Sequence, residues 1–232
     1  MFKQNANILF QGDSITDGNR ARNEDLNHIL GHGYQYIIAA KLGEEAAEKN
    51  YNFLNRGISG NRVVDLYGRW KEDTLNLNPD VLSILIGVND VGREFEEKMG
   101  IDSIKYEKVY RLLLEETKEY NPEIMLILCE PFILPVGNVK ANWEKWNEEI
   151  VKHQEIVKKL ATEYNAVYVS LQVEFNKACE KAEPSYWIWD GVHPTTSGHE
   201  IIAKAWMRAV SNIQVKWIWK VIYINVLNVV EI

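Results

Sequence analysis

Cysteine, basic clusters and long apolar runs are all scarce in this chain. Two cysteines occur in 232 residues: Cys129 ends the apolar run from Ile124, and Cys179 lies in a segment of helical period. A disulfide framework is therefore not indicated, and a reducing compartment is expected. Lys and Arg number 26 against 33 Asp and Glu, a formal charge of -7. With no densely basic stretch, nucleic acid and anionic lipid are disfavoured as partners, and a neutral or cationic small substrate is easier to accommodate. No run reaches the roughly 20 predominantly apolar residues of a membrane span. The nearest approach, residues 213–230 (IQVKWIWKVIYINVLNVV), is interrupted by Lys216, Lys220, Asn225 and Asn228. The opening MFKQNAN leads almost directly into an apolar run, without room for a basic region, an apolar stretch and a cleavage site, so a cytoplasmic protein is expected.

What is present is ordinary globular composition, 46% hydrophobic and 25% charged, without repeats, low-complexity tracts or a Gly/Ser linker. One domain is expected over residues 1–211, with an atypical apolar extension at 212–232. That extension is strand-like, with partial alternation at Ile213, Val215, Trp217, Trp219 and Val221. A free segment of this kind is an aggregation hazard, so it pairs with an edge strand or a second subunit, or is a poorly ordered non-native addition. A homo-oligomer thus stays open.

Short apolar runs alternate with longer segments of helical period. Asn7 to Gln11, Phe53 to Asn55, Val81 to Ile86, Ile124 to Cys129 and Ala166 to Ser170 read as strands. Tyr34 to Glu48, Val63 to Leu77, Ser103 to Tyr120, Trp143 to Tyr164 and Gly198 to Val210 read as helices. Pro79 and Pro122 stop helices just before strands. The alternation predicts βαβ units and a mostly parallel sheet covered on both faces.

Ligands of open parallel sheets bind beyond the carboxyl ends of the strands. Loops there contain Gly12-Asp13-Ser14, Gly57-Ile58-Ser59-Gly60-Asn61 and Gly87-Val88-Asn89-Asp90, and Asp190 to His193 precede the last helix. A serine hydroxyl is a poor nucleophile until a base takes its proton, and His193 is the candidate base for Ser14. Asp190, three residues earlier, can accept the other ring proton and fix the tautomer. The Ser14 and Gly60 backbone amides and the Asn89 side-chain amide are suitable donors to a tetrahedral oxyanion. Each block alone is an ordinary turn; Asp13 can cap a turn, Asp190 and His193 can be helix-entry residues, and Asp90 reads as holding the loop under Asn89. His28 and His32 have ligand spacing, but Gly31 and Gly33 interrupt it and no third ligand is evident, so no metal is expected. His153 and His199 read as helix-surface residues.

The four blocks resemble those of the SGNH, or GDSL, hydrolases: Ser14 in GDSIT, Gly60 in GISGN, Asn89 in GVND and His193 in DGVHP, with Asp190 at the D-x-x-H spacing. The resemblance runs from about Asn7 to Val210. It implies a three-layer α/β/α sandwich around a mainly parallel, flavodoxin-like five-stranded sheet, and ester hydrolysis on Ser14 without a cofactor. GDSITDGNRAR, GHGYQYIIAAKL, NRGISGNRVVDLYGRW, ILIGVNDVGRE and WIWDGVHPTTSGHEIIAKA further look like the cytoplasmic acetylxylan esterases of this superfamily. That likeness implies acetylated xylo-oligosaccharides as substrate.

Trp189, with Tyr186 and Trp187, abuts the Asp-His segment and can offer a platform to a sugar face or pack behind the loop. Arg20, Arg22, Glu24 and Asp25 line a substrate entrance or face solvent. A lysophospholipase or thioesterase on the same fold is the enzymatic alternative, requiring an apolar groove that is not apparent. A non-catalytic carbohydrate-binding protein is the alternative of another class, and the intact set of five residues counts against it. A nucleotide-binding flavodoxin-like domain would need a phosphate loop that the sequence lacks.

Overall fold

The computed structural model describes residues 2–23 and 25–212. Residues 213–232, and with them the strand-like tail, lie outside the described residues, as does Glu24. Five strands form one parallel sheet: β1 (Asn7–Gly12), β2 (Asn52–Asn55), β3 (Val81–Leu85), β4 (Met125–Cys129) and β5 (Val167–Val169), in the order β2-β1-β3-β4-β5. Register follows from the apolar runs, with Ile8 beside Val81 and Leu82 beside Leu126.

Alternation along the strands separates two cores. Ile8 and Phe10, Val81 and Leu85, and Ile127 and Cys129 face one side; Leu9, Leu82, Ile84, Leu126 and Leu128 face the other. The first side is covered by α2 (Tyr34–Glu45), through Ile38, and by a last helix over residues 196–212, through Ile202 and Trp206. The second is covered by α3 (Val63–Gly68), α6 (Ser103–Tyr120) and α8 (Trp143–Glu163), through Leu66, Tyr110 and Leu160. The result is the expected three-layer sandwich. Ser83 is the polar exception in β3, and the Trp206 indole donates to its Oγ at 3.0 Å, as a buried hydroxyl requires.

The expected helix from Val63 to Leu77 is broken. It resolves into α3, α4 (Trp70–Asp73) and a 3-10 turn at Leu75–Leu77. The breaks fall at Arg69 (φ -121°, ψ 11°), directly after Gly68, and at Thr74 (φ -134°, ψ -67°). Helical period continues through such breaks because both fragments lean on the same core, so periodicity alone could not see them. Elements that the apolar pattern also failed to reveal are α1 (Ser14–Asp17), α5 (Val88–Glu97), α7 (Gly137–Ala141), α9 (Gln172–Ala178) and α10 (Pro184–Trp187). Most are only one or two turns long, too short to show a period.

Topology sets the location of the site. The order of strands reverses between β1 and β3, and the segments following those two strands begin with Asp13-Ser14 and Gly87-Val88-Asn89. Such a switch point opens a crevice at the carboxyl edge of the sheet.

Candidate active site

Ser14 opens α1 immediately beyond β1 and so sits on a helical turn, where a loop was expected. Asp13 caps that turn, its Oδ1 accepting the Ile15 N–H at 3.0 Å. The Asp190–His193 turn is held by the carboxylate of Asp190, whose Oδ1 accepts the Val192 and His193 backbone N–H groups at 2.9 and 2.7 Å. Gly191 makes this turn feasible: at φ +104° it occupies a conformation that disfavours side chains, and a Cβ there would lie 2.6 Å from the Val136 carbonyl oxygen. Asp190 keeps Oδ2 for His193 Nδ1 at 2.6 Å, and His193 Nε2 lies 2.8 Å from Ser14 Oγ. With the Nδ1 proton donated to Asp190, Nε2 is the acceptor for the Ser14 hydroxyl.

Electrostatics matches that arrangement. The hydrogen bond to Asp190 raises the His193 imidazole above its ordinary value of 6.5, against the opposing effect of partial burial. For Asp190, partial burial pushes the carboxyl up, but hydrogen bonds from the His193 side chain and the turn backbone outweigh it, and the group titrates below its ordinary value. The arrangement can therefore take a proton from a serine and hold the resulting imidazolium beside a carboxylate.

The structure brings the other expected residues to the same place. Asn89 lies in the first turn of α5, again where a loop was expected, and donates one Nδ2 hydrogen to the Asn61 carbonyl at 3.0 Å. Its second hydrogen meets no acceptor among the described residues. Gly60 takes φ +80°, and a Cβ there would lie 2.8 Å from Arg93 Nη2. Neither the Ser14 nor the Gly60 backbone N–H meets an acceptor among the described residues. Trp189 is 61% exposed and stacks on His193, with ring centroids 5.5 Å apart and 18° between planes. It stands over the imidazole, not behind the loop. A cleft of about 490 Å³ runs past Asn89, His193 and Trp189, bounded by Val88, Val139, Trp146 and Val192, with Arg93 and Glu97 among its lining residues.

Several residues read differently in the sequence. His153, expected on a helix surface, is 1% exposed; its Nδ1 faces the Glu149 carbonyl at 2.8 Å and its ring packs on Tyr106. His199 likewise turns inward, accepting the Tyr34 N–H at 3.1 Å, and burial lowers its pKa to about 4. Both helices carry these positions on their covered sides. Arg22 pairs with Asp17 at 2.6 Å and Arg20 donates to the Gly57 carbonyl at 3.0 Å; both line a separate cleft with Arg56, apart from His193. Asp90 does hold a loop, but it is the Gly60 loop, through the Val63 N–H at 3.0 Å. His28 lies exposed in a turn, paired with Asp25 at 2.7 Å. Among the described residues no cluster of three or more His, Cys, Asp or Glu could hold a metal ion, and no helix is long and apolar enough to cross a membrane.

Trp146, Arg93 and Asp17 were not legible as site residues, since nothing in their local sequence distinguishes them from other helix or loop positions. Asp13 had a visible signal but not its environment. It is fully buried, its Oδ2 has no partner among the described residues, and burial pushes its carboxyl up to about 7. Burial similarly raises Asp90 to about 8. Between the ordinary carboxylate value and these raised ones the folded protein holds protons that the unfolded chain has released. The associated stability is complete below about pH 4 and is lost as pH rises towards 8. Thermal midpoints should accordingly decline between pH 5 and 9, with a shallower slope in Asp13→Asn, whose side-chain oxygen still accepts from Ile15. An unchanged slope in that variant would remove Asp13 from the explanation.

Residues 10–201 match the GDSL-like lipase/acylhydrolase family. An acetylxylan esterase of Geobacillus stearothermophilus is 37% identical over 211 residues, covering 88% of this chain and 93% of that enzyme. Among solved structures, a GDSL-like lipase of Parabacteroides merdae superposes with a TM-score of 0.87 at 40% identity, covering 91% and 98% of the two chains. The Geobacillus acetylxylan esterase superposes with a TM-score of 0.81 at 34% identity, covering 90% and 95%. Two further structures of that enzyme are catalytic mutants, one with a serine and one with an aspartate replaced by alanine. Five parallel strands in this order, the four sequence blocks converging on one crevice, and these likenesses lead to one conclusion: the chain belongs to the GDSL-like lipase/acylhydrolase family and is a carboxylic ester hydrolase.

Proposed function

We propose that the protein is a serine esterase that removes acetyl groups from acetylated xylo-oligosaccharides. The observation that carries the reading is the continuous relay from Ser14 Oγ through His193 to Asp190, at 2.8 and 2.6 Å. Ser14 attacks the acetyl carbonyl carbon while His193 Nε2 takes the hydroxyl proton, and Asp190 stabilises the imidazolium. Negative charge on the carbonyl oxygen is met by the Ser14 and Gly60 amides and by Asn89 Nδ2. As the tetrahedral intermediate collapses, the C–O bond to the sugar breaks and His193 returns its proton to the departing sugar hydroxyl. Water, deprotonated by the same imidazole, then attacks the acetyl-serine, releasing acetate and regenerating Ser14.

The acetyl and sugar assignments rest on the relatives and on the cleft. Val88, Val139 and Trp146 line the cleft beside Asn89, and the exposed face of Trp189 is suited to the apolar face of a pyranose. In this reading residues 1–211 constitute the hydrolase domain, and Cys129 and Cys179, both free thiols, suit a cytoplasmic location.

Substrate class is tested by comparing acetyl, butyryl and octanoyl esters, with acetylated xylo-oligosaccharides alongside. Acetyl esters should be hydrolysed much faster than octanoyl esters if Trp189 borders an acetyl-sized acyl site, whereas an acyl-chain groove would gain about 0.8 kcal/mol from burying each added methylene. Acetate release from the oligosaccharide should exceed that from a simple aryl acetate in kcat/KM, since distant sugar contacts can be used in the transition state. A preference for long acyl chains would favour the lysophospholipase or thioesterase alternative and leave the serine mechanism standing.

A further inference from the structure

The segment that carries Gly60 is gripped on both sides by buried carboxylates, and these belong to the two segments that carry the other oxyanion donors. Asp17, three residues beyond Ser14 and 4% exposed, accepts the Ser59 N–H at 3.0 Å. Asp90, adjacent to Asn89 and fully buried, accepts the Val63 N–H with both oxygens, at 3.0 and 3.2 Å. Asn89 closes the circuit by donating to the Asn61 carbonyl, and Arg69 Nε steadies the Asn61 side chain at 2.8 Å. We infer that Asp17 and Asp90 are positioning residues of the esterase, which together set the spacing of the Ser14, Gly60 and Asn89 donors.

Three donors from three separate segments must converge within about 2.7–3.1 Å of one oxygen. The residues from Gly57 to Arg62 form no regular helix or strand; the Ile58 N–H on the Gly12 carbonyl, at 3.1 Å, ties their start to the end of β1, and the carboxyl contacts at Ser59 and Val63 fix the part that carries Gly60. A side-chain carboxyl accepts from a backbone N–H as an ionised group or, as burial favours for Asp90, as a protonated one. One carboxylate on each side therefore ties the Gly60 segment to α1 and to α5. Asp17 has its charge offset by Arg22, at 2.6 and 3.1 Å. Asp90 has no such partner among the described residues; the neighbouring Arg62 pairs with Asp65 at 2.9 Å, and burial favours the neutral form of Asp90. A fully buried acid whose two oxygens both face one backbone N–H fits a position whose geometry is used by the chemistry.

The inference rests on the oxyanion assignment made above, and a double-mutant cycle separates the two. Steady-state kcat and KM for 4-nitrophenyl acetate are measured for Asp90→Ala, Asp90→Asn, Asp17→Ala, Asn89→Ala and the Asp90→Ala/Asn89→Ala pair, each well below its own Tm. Asp90→Ala and Asp17→Ala should each lower kcat about 10- to 100-fold with KM within about twofold, because the displaced donors act on the transition state. Asp90→Asn, which keeps an oxygen for the Val63 N–H, should recover kcat to within about threefold of the parent. The pair should be no more than about threefold worse than Asn89→Ala alone, since Asp90 acts through that constellation. Multiplying losses, a loss carried by KM, or unchanged kcat in both Asp→Ala variants would overturn the inference alone. Full activity in Asn89→Ala would overturn the oxyanion assignment and the inference with it. Should Asp90→Ala fail to fold, the Asp17→Ala/Asn89→Ala pair completes the same cycle with the same criteria.

Discussion

Ser14→Ala and His193→Ala are each expected to lower kcat by at least about four orders of magnitude, and the double variant should be scarcely worse than either single one. In the proposed mechanism the hydroxyl and the imidazole, 2.8 Å apart, perform one event: without the base the hydroxyl does not ionise, and without the hydroxyl the base has nothing to activate. A residual rate above water should persist, because the oxyanion donors and the cleft remain. Both variants should keep the parental Tm to within a few degrees, since Ser14 Oγ is only partly buried and supports no core contact. A fluorophosphonate followed by mass spectrometry should place the adduct on Ser14. Losses that multiply in the double variant would mean separate roles, and an adduct elsewhere would move the nucleophile.

Asp190→Asn should cost about 10⁴-fold in kcat even though asparagine is nearly isosteric. Its amide would donate to His193 Nδ1, forcing the ring proton onto Nε2, where it can no longer accept from Ser14. The pH profile provides a second signature. His193 must be neutral to act, and its pKa lies above the ordinary 6.5 because of Asp190. In the parent, kcat/KM should therefore fall as pH drops through a value above 6.5, and in Asp190→Asn this acidic limb should move to lower pH. A limb that stays in place would show that another group controls it.

Much of the fold was legible because its signals are local. Strands β1, β3 and β4 are buried on both faces, so they read as mostly apolar runs, with Ser83 and Gln11 as polar exceptions. Helices α6 and α8 are long enough to display a period. The chemistry was legible for a different reason: Ser14, Asp190 and His193 are residue types whose reactivity is intrinsic, set in motifs whose spacing limits what they can reach. The D-x-x-H interval in particular foretold the contact between Asp190 and His193 within one turn of chain.

What stayed hidden depends on neighbours distant in the chain. Nothing in the stretch around Trp146 says that its ring will wall a cleft opposite Val88, because that requires α8 to cross over α5. His153 and His199 resemble exposed helix residues until the packing of those helices decides which side is covered. The carboxylates of Asp13, Asp17 and Asp90 look like turn formers; that burial drives the first and last towards protonation while Arg22 neutralises the second is a property of their surroundings. The sequence by itself determined the parallel sheet, and it singled out Ser14, His193 and Asp190 as the proposed nucleophile, base and orienting acid, since these follow from periodicity and intrinsic reactivity. Only the tertiary structure decided that Asp17 and Asp90 contact the Gly60 segment and how the cleft is walled, because each of those depends on distances between groups that the chain order leaves far apart.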